Sequence, residues 1–451
     1  MATICVAGLW HQASVVSACL ADMGHQVCGV GDDKEAVASL NAAKPLVYEP
    51  ELDEIIQRNL QAGRLKYTTD YGEALSGVEF AYVAIDTPVG PNDESDLSSI
   101  FDAARNIGRF ASERFVLIIS AQVPVGTCER VAAVVHEENP AVVFDVAYVP
   151  EFLRLGIAVD TFRNADRFVV GADDPDVTER IAALYRPLDR PIVVTNLRTA
   201  EMGKHASNSF LSTSISFINE IANLCDEVGA NALQVARIMK LDRRIGKYAF
   251  LSPGLGFAGG TLGRDIRALQ KLGRQHGCDT PMMDAVMAVN EARAGLVRQR
   301  LQRVYGELGG LQVGVLGLTY KPGTSTLRRS IAIEIIRDLV AQGISIRAFD
   351  PLARLDEVAE LPPFEFCPDP YAAAQGSDAL VLVTEWEDIR SLDLGKLRDT
   401  MQRPVFIDTR NVFTPDEMAR QGFIYSGVGR GFLQGRIEGD KKAGQRCRPP
   451  L

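Results

Sequence analysis

Lys204 and Asn208, in the stretch TAEMGKHASN, stand at i and i+4, so on a helix an ammonium and an amide share one face and can point into one site. Taken alone, the pair is equally a solvated lysine beside a surface asparagine. Further on, SPGLGFAGGTLGRD holds too much glycine for a packed helix and marks a loop whose backbone can approach a ligand. Asp265 closes that loop where the amphipathic RDIRALQKL begins, and a carboxylate there suits the positive end of a helix dipole. Gly8-Leu9-Trp10-His11-Gln12-Ala13 leaves the strand-like ATICVAG and enters a helical pattern, the position of a phosphate-binding turn. Glu151 follows an apolar run and a proline, where a carboxylate is most often simply exposed.

The elements that must position these residues follow from periodicity. From residue 2 to about 195, short apolar runs (ATICVAG, QVCGVG, FAYVAI, RFVLIIS, VVFDVAYV, RFVVGA) alternate with amphipathic stretches, which predicts a mostly parallel sheet with helices on both faces. From about 199 to 300 strand signals vanish, and TAEMGKHASNSFLSTSISFINEIANLCDEVG and TPMMDAVMAVNEARAGLVRQRLQRVYGEL each read as one long helix. The alternation returns in LQVGVLGL, ISIRAFD, DALVLVT and PVFID. The fold class is therefore α/β, with two Rossmann-like parallel-sheet domains joined by a central helical domain. The expected domains are 1–198, 199–300 and 308–430, followed by a mobile tail over 431–451.

At 46% hydrophobic and 24% charged, 451 residues supply core for two or three domains. A formal charge of −10 argues against nucleic acid or an anionic membrane as partner. No apolar run is long enough to span a bilayer, and MATICVAGLW has no basic region before its apolar residues. Eight scattered cysteines, with no CxxC pair, and five scattered histidines offer no metal framework and fit reduced thiols in the cytoplasm.

Read together, LVYEPELDEII, DTPVGPNDESDLSSI, SAQVPVGT, VPEFLRLGIAVDTF, TAEMGKHASN, SPGLGFAGGTLGRDIRAL, LGLTYKPGTSTLRRS and DTRNVF resemble, in order and spacing, the UDP-glucose/GDP-mannose dehydrogenase family over nearly the whole chain. The resemblance implies an N-terminal NAD-binding domain, a central helical domain that forms a homodimer or higher homo-oligomer, and a C-terminal domain for a nucleotide sugar, most commonly a UDP-hexose. It also implies roles. Lys204 and Asn208 would stabilise an oxyanion, Glu151 would position water, and Asp265 would organise the lysine. Thr87, Pro88 and Gln122 would meet the cofactor with Gly8 and Ala13. Arg244, Lys321, Arg410, Phe250, Leu251, Gly254 and Gly256 would hold the nucleotide sugar. The loop glycines Gly254, Gly256 and Gly259 are taken as ligand-facing, at positions where packing would not demand them.

The family oxidises a sugar CH2OH to a carboxylate with two NAD, through a cysteine thioester. Here Thr261 stands at the cysteine position, with Gly260, Gly263 and Arg264 also departing from the pattern. A thiol with a pKa near ~8.5 supplies thiolate at neutral pH; a hydroxyl needs a general base. Trp10 replaces the second glycine of the dinucleotide fingerprint. Gly31 replaces the ribose-binding acid, which leaves Asp32 or Asp33 as substitutes. Gln122 replaces a threonine, Val149 an asparagine, and Ser325 and Thr326 an acidic pair. Two functions fit this pattern. One is a dehydrogenase-like oxidoreductase using NAD(P) without the thioester step, making one hydride transfer or epimerising its sugar. The other is a pseudoenzyme that binds nucleotide sugar or a partner dehydrogenase.

Overall fold

Among the described residues fourteen segments form strands, most of them from the apolar runs. In the first sheet these are β1 (Thr3–Ala7), β2 (Gln26–Val30), β3 (Leu65–Thr68), β4 (Phe80–Val83), β5 (Phe115–Ile119), β6 (Phe144–Tyr148), β7 (Phe168–Gly171) and β8 (Ile192–Thr195). In the computed structural model, which describes residues 1–87, 95–258, 261–327, 330–358 and 360–431, they pair in the order β3-β2-β1-β4-β5-β6-β7-β8. All neighbours run parallel except β6 and β7, which meet antiparallel at Tyr148 and Gly171. The central strands are apolar at successive positions because helices cover both faces: β4 and β5 are buried throughout.

A second sheet comprises β9 (Gln312–Leu316), β10 (Ser345–Phe349), β11 (Glu365–Phe366), β12 (Ala379–Leu382), β13 (Val405–Asp408) and β14 (Ile424–Gly427), in the order β11-β10-β9-β12-β13-β14, all parallel. Between β8 and β9 the described residues form helices and loops only. The helix Leu197–Val228 begins this stretch, as its periodicity predicts. The second long pattern does not stay whole. It breaks into Pro281–Ala292, a 3-10 turn Arg293–Gly295 and Leu296–Tyr305. Gly295 lowers helical propensity there, and Arg293 is drawn inward, its Nε donating to the Gly254 carbonyl at 3.0 Å and its NH1 to Asn223 at 2.6 Å.

The chain forms two compact units, Met1–Phe210 with Gly260–Thr280 and Gly323–Ser325, and Leu211–Gly259 with Pro281–Pro322 and Thr326–Leu451. The expected tail lies, beyond Gly431, outside the described residues.

One carboxylate ties the first βα turn of the first unit to a distant loop. Glu49 is 2% exposed. Its Oε2 faces His11 Nε2 at 2.7 Å and accepts the Gly156 N–H at 2.8 Å, while Oε1 accepts the Ala158 N–H at 2.7 Å. A buried donor left without its acceptor costs about 1–3 kcal/mol, so Glu49→Ala, which strands three, should lower the thermal midpoint of this unit by about 6 °C or more in scanning calorimetry. A midpoint that moves by no more than about 1 °C would mean that these contacts do not hold the turn.

Candidate active site

Asp265 is fully buried on the first turn of the helix Leu262–His276. One carboxylate oxygen lies 2.6 Å from His205 Nδ1, and the other accepts the Asn208 amide at 2.5 Å. The other ring nitrogen of His205 lies 2.8 Å from the Val123 carbonyl. Both ring nitrogens thus face oxygens. Burial alone would raise the Asp265 carboxyl, but the hydrogen bond and charge of His205, with Lys204 behind it, hold it below the usual carboxylate range.

The spacing of Lys204 and Asn208 does the rest. Lys204 is 4% exposed, and its ammonium donates to the Glu151 backbone carbonyl and to Glu151 Oε1 at 3.3 Å. It also lies 4.8 Å from the centre of the Phe152 ring. Glu151 is fixed in turn by the Leu153 N–H, which donates to its Oε2 at 2.7 Å. Lys204, His205 and Asn208 are thus joined by hydrogen bonds to Glu151 and Asp265, four of these five residues being ones singled out in the sequence. His205 was missed, although it lies between the two residues on which attention rested.

Thr261 heads the same helix. It is exposed, its hydroxyl caps nothing, and its carbonyl accepts the Gln122 amide at 3.3 Å. The described cysteines are elsewhere. Cys278 follows the far end of the helix, and Cys128 is buried, its thiol pushed well up by burial and by the Glu201 carboxylate. Cys447 lies outside the described residues.

On the cofactor side, Gly8 has φ +127°, and a Cβ there would sit 2.7 Å from the Ala84 carbonyl oxygen and 3.0 Å from Ala13 Cβ. Glycine at 8 and a small residue at 13 are therefore built into the turn, which fits a dinucleotide diphosphate at the N-terminus of the helix His11–Asp22. Trp10 takes the N-cap with extended backbone, its indole edge-on to the His11 ring at 6.3 Å. At Gly31 a Cβ would lie 2.9 Å from Leu9 Cδ1, so a side chain could enter only by pushing Leu9 aside. Of the two substitute acids, Asp33 caps its own helix, Lys34–Asn41, through the Glu35 and Ala36 N–H groups, while Asp32 is exposed. The residues of this turn fit NAD, and of the two acids Asp32 is the one whose side chain is not used as a cap.

Thr87 and Gln122 are engaged by Arg264. The buried guanidinium donates to the Thr87 carbonyl at 2.9 Å, to the Thr87 hydroxyl and to Gln122 Oε1. Pro88 lies outside the described residues.

The residues expected to hold the nucleotide sugar belong to the second unit. Packing does demand Gly256 and crowds Gly254, contrary to the sequence reading. Gly256 has φ +87° and would place a Cβ 2.3 Å from Asn290 Oδ1, and Gly254 would place one 3.1 Å from the Thr409 carbonyl. Gly259 lies outside the described residues. Leu251 is buried against Ile218 and Ala236, so its side chain is core, whereas Phe250 is exposed. Arg244 is exposed and paired with Asp242 at 2.6 Å. Arg410 donates to the Val383 carbonyl at 2.6 Å and pairs with Glu385 at 3.1 Å. Lys321 is partly buried.

Among the described residues no group of three His, Cys, Asp or Glu could hold a metal, and no helix is long and apolar enough to cross a membrane.

Comparison with known proteins gives three consecutive matches to UDP-glucose/GDP-mannose dehydrogenase profiles: the NAD binding domain over residues 2–189, the central domain over 198–292 and the UDP binding domain over 314–415. A UDP-glucose 6-dehydrogenase of Rhizobium meliloti is 37% identical over 434 residues, 95% of this chain and 99% of the relative. One of Pseudomonas aeruginosa is 37% identical over 441 residues, 95% of this chain and 97% of the relative. The solved structure of a UDP-glucose dehydrogenase from Pyrobaculum islandicum matches with a TM-score of 0.89 at 34% identity, covering 95% of this chain and 98% of that one.

The carboxylate at the centre of the cluster carries a pH signature. Because its folded pKa is depressed, Asp265 contributes stability that is full above the unfolded-state value of about 3.9 and is lost as pH falls through the lower folded value. Asp265→Asn, which breaks a buried ion pair, should cost about 3 kcal/mol at neutral pH by urea unfolding of the first unit. The gap to the wild type should narrow below about pH 4. A gap that stays constant from neutral pH into that range would show that the depressed carboxyl is not its source.

Proposed function

The chain belongs to the UDP-glucose/GDP-mannose dehydrogenase family, and on that premise we propose that it oxidises a UDP-hexose by one hydride transfer per turnover, without a covalent acyl-enzyme. NAD supplies the hydride acceptor when bound. The observation that carries the reading is Thr261 at the head of the helix Leu262–His276, while the Asp265 carboxylate, the His205 imidazole and the Lys204 ammonium are all in place.

The remaining roles fall to the chain's own side chains. An ammonium has three N–H donors; two of those on Lys204 face Glu151, and the third is the donor proposed for the sugar oxygen from which the hydroxyl proton leaves. Glu151 receives that proton through water. Asp265 holds Asn208, and through it the amide that accompanies the ammonium. The aldehyde so formed has no thiolate to trap it. It is released; where a secondary alcohol is oxidised instead, the product is a ketone, and return of the hydride from the reduced cofactor to its other face gives the epimer.

A second reading, binding without turnover, is favoured by one observation: the N-terminus of the helix His11–Asp22 carries Trp10 at its cap and the Asp86 carboxylate beside Gln12. NAD affinity decides between them.

Self-association is proposed through the helix Leu197–Val228. Phe217 and Leu224, a heptad apart, and Val228 are all exposed, an apolar stripe that a second copy would cover.

With UDP-glucose and NAD, the wild type should form at most one NADH per sugar consumed and no uronate, read by absorbance and mass spectrometry. Lys204→Ala should slow this about 100-fold or more, and Thr261→Cys should produce uronate. Wild-type uronate with two NADH per sugar would overturn the one-hydride reading. For self-association, Phe217→Asp with Leu224→Asp should convert dimers to monomers in light scattering; unchanged mass would place the interface elsewhere.

A further inference from the structure

A helix N-terminus leaves N–H groups unmatched and favours an anion. The helix His11–Asp22 supplies none from its own first turn: Trp10 makes no side-chain cap bond, and no acidic residue follows it. The anion comes from another element. Asp86, half-buried just beyond the end of β4, sets its Oδ2 3.4 Å from the Gln12 backbone nitrogen, and the Gln12 N–H donates to it. The Gln12 side chain is turned away to the Ser120 carbonyl.

This carboxylate is ill-placed as a permanent charge. The groups facing it are His11 and the Gln12 N–H on the helix, Glu151 after β6, and Arg264 on the helix Leu262–His276. Burial first, and the Glu151 charge with it, push its carboxyl up to about 6 against the pull of His11, Gln12 and Arg264. It stands at the βα turn that Gly8 keeps open, where the diphosphate of a bound dinucleotide approaches the helix end.

We propose that Asp86 is the chain's own competitor for the cofactor diphosphate at the N-terminus of the helix His11–Asp22, so that NAD binds with uptake of a proton by Asp86. This rests on the reading that the first sheet carries the NAD site. A diphosphate and a carboxylate cannot both take the same N–H donors without strong repulsion, and protonation removes the charge while the carboxyl can still donate a hydrogen bond. The direction of the pH effect follows. Where Asp86 is ionised in the free protein, binding requires a proton, and affinity falls by about tenfold per pH unit. Where it is already protonated, no proton is required and affinity is level.

The test is calorimetric titration of the full chain with NAD from pH 5.5 to 8, in pairs of buffers with different ionisation enthalpies, for wild type and Asp86→Asn. The wild type should bind on the order of 10- to 100-fold more tightly near pH 6 than at pH 8, taking up close to one proton at pH 8. Asp86→Asn keeps the shape of the side chain, and His11 and Glu151 remain in both proteins. The variant should bind at pH 8 as tightly as the wild type does near pH 6, with proton uptake near zero. Wild-type binding that is level with pH, or an equal pH dependence in the variant, would overturn the competition while leaving the NAD site standing. No binding by either folded protein at any pH would overturn both. The wild-type titration needs no substitution and so stands even if the variant folds poorly.

Discussion

The requirement that a buried carboxylate be matched by donors organises this molecule. Asp265 is satisfied by His205 and Asn208, so the first turn of one helix is locked to one face of another. Glu201, on that same face, accepts the Gly126 N–H at 2.6 Å and the Cys128 N–H at 3.0 Å, and so caps the helix Thr127–Glu138, whose N-cap glycine cannot. Glu49 does the same for the loop before Ala158. The second unit repeats the device. Asp350 accepts the Leu318 and Thr319 N–H groups, and Asp408 those of Arg410 and Phe413 with the Tyr425 hydroxyl. In each case an acid meets backbone N–H groups at a turn or helix end, or locks two helices together. An unmatched ion would be far costlier than any of the loops it secures.

That constraint explains what was legible in the sequence and what was not. Strand runs such as FVLII and VCGVG are legible because helices on both faces of a parallel sheet demand continuous apolar residues, and the structure buries them. Lys204, Asn208 and Asp265 could be picked out because motif spacing carries them. His205 could not, since a histidine flanked by such residues looks like helix filler until Asp265, far along the chain, is brought against it. Asp86 was likewise passed over inside VAIDTP. Only the pairing of β1 with β4 brings the end of that strand to the helix that follows Gly8. Gly256 misled in the other direction. A glycine-rich loop suggests approach to a ligand, but the neighbour that excludes a Cβ is Asn290, whose amide also clamps both backbone groups of Phe257. The broken helix at Arg293–Gly295 was hidden because its cause, a guanidinium reaching Gly254, is again non-local.

The chemistry of the site separates into parts that tolerate change and parts that do not. Replacing a thiol by the Thr261 hydroxyl removes a nucleophile but leaves the helix intact, because that side chain makes no cap bond and sits at the surface. Removing Asp265 or Lys204 would instead leave a buried partner exposed to an apolar surrounding. The residue at the head of this helix can change without disturbing the groups around it, since those groups also hold the fold together. Their persistence alone is therefore weaker support for turnover than it first looks, and a measured hydride transfer is what gives them a catalytic role.

Two aspartates on neighbouring elements make the same point with opposite signs. Asp265 is the more deeply buried, yet its carboxyl is held low, because His205 and Lys204 supply positive charge and a hydrogen bond that outweigh desolvation. Asp86 keeps part of its surface open, yet its carboxyl is pushed up to about 6, because burial, with the Glu151 charge added, outweighs the pull of His11, the Gln12 N–H and Arg264. Glu151 takes part in both environments: it pairs with Lys204, which lowers Asp265, and it repels Asp86. The turn after β1 and the Lys204 ammonium therefore share one carboxylate as a neighbour.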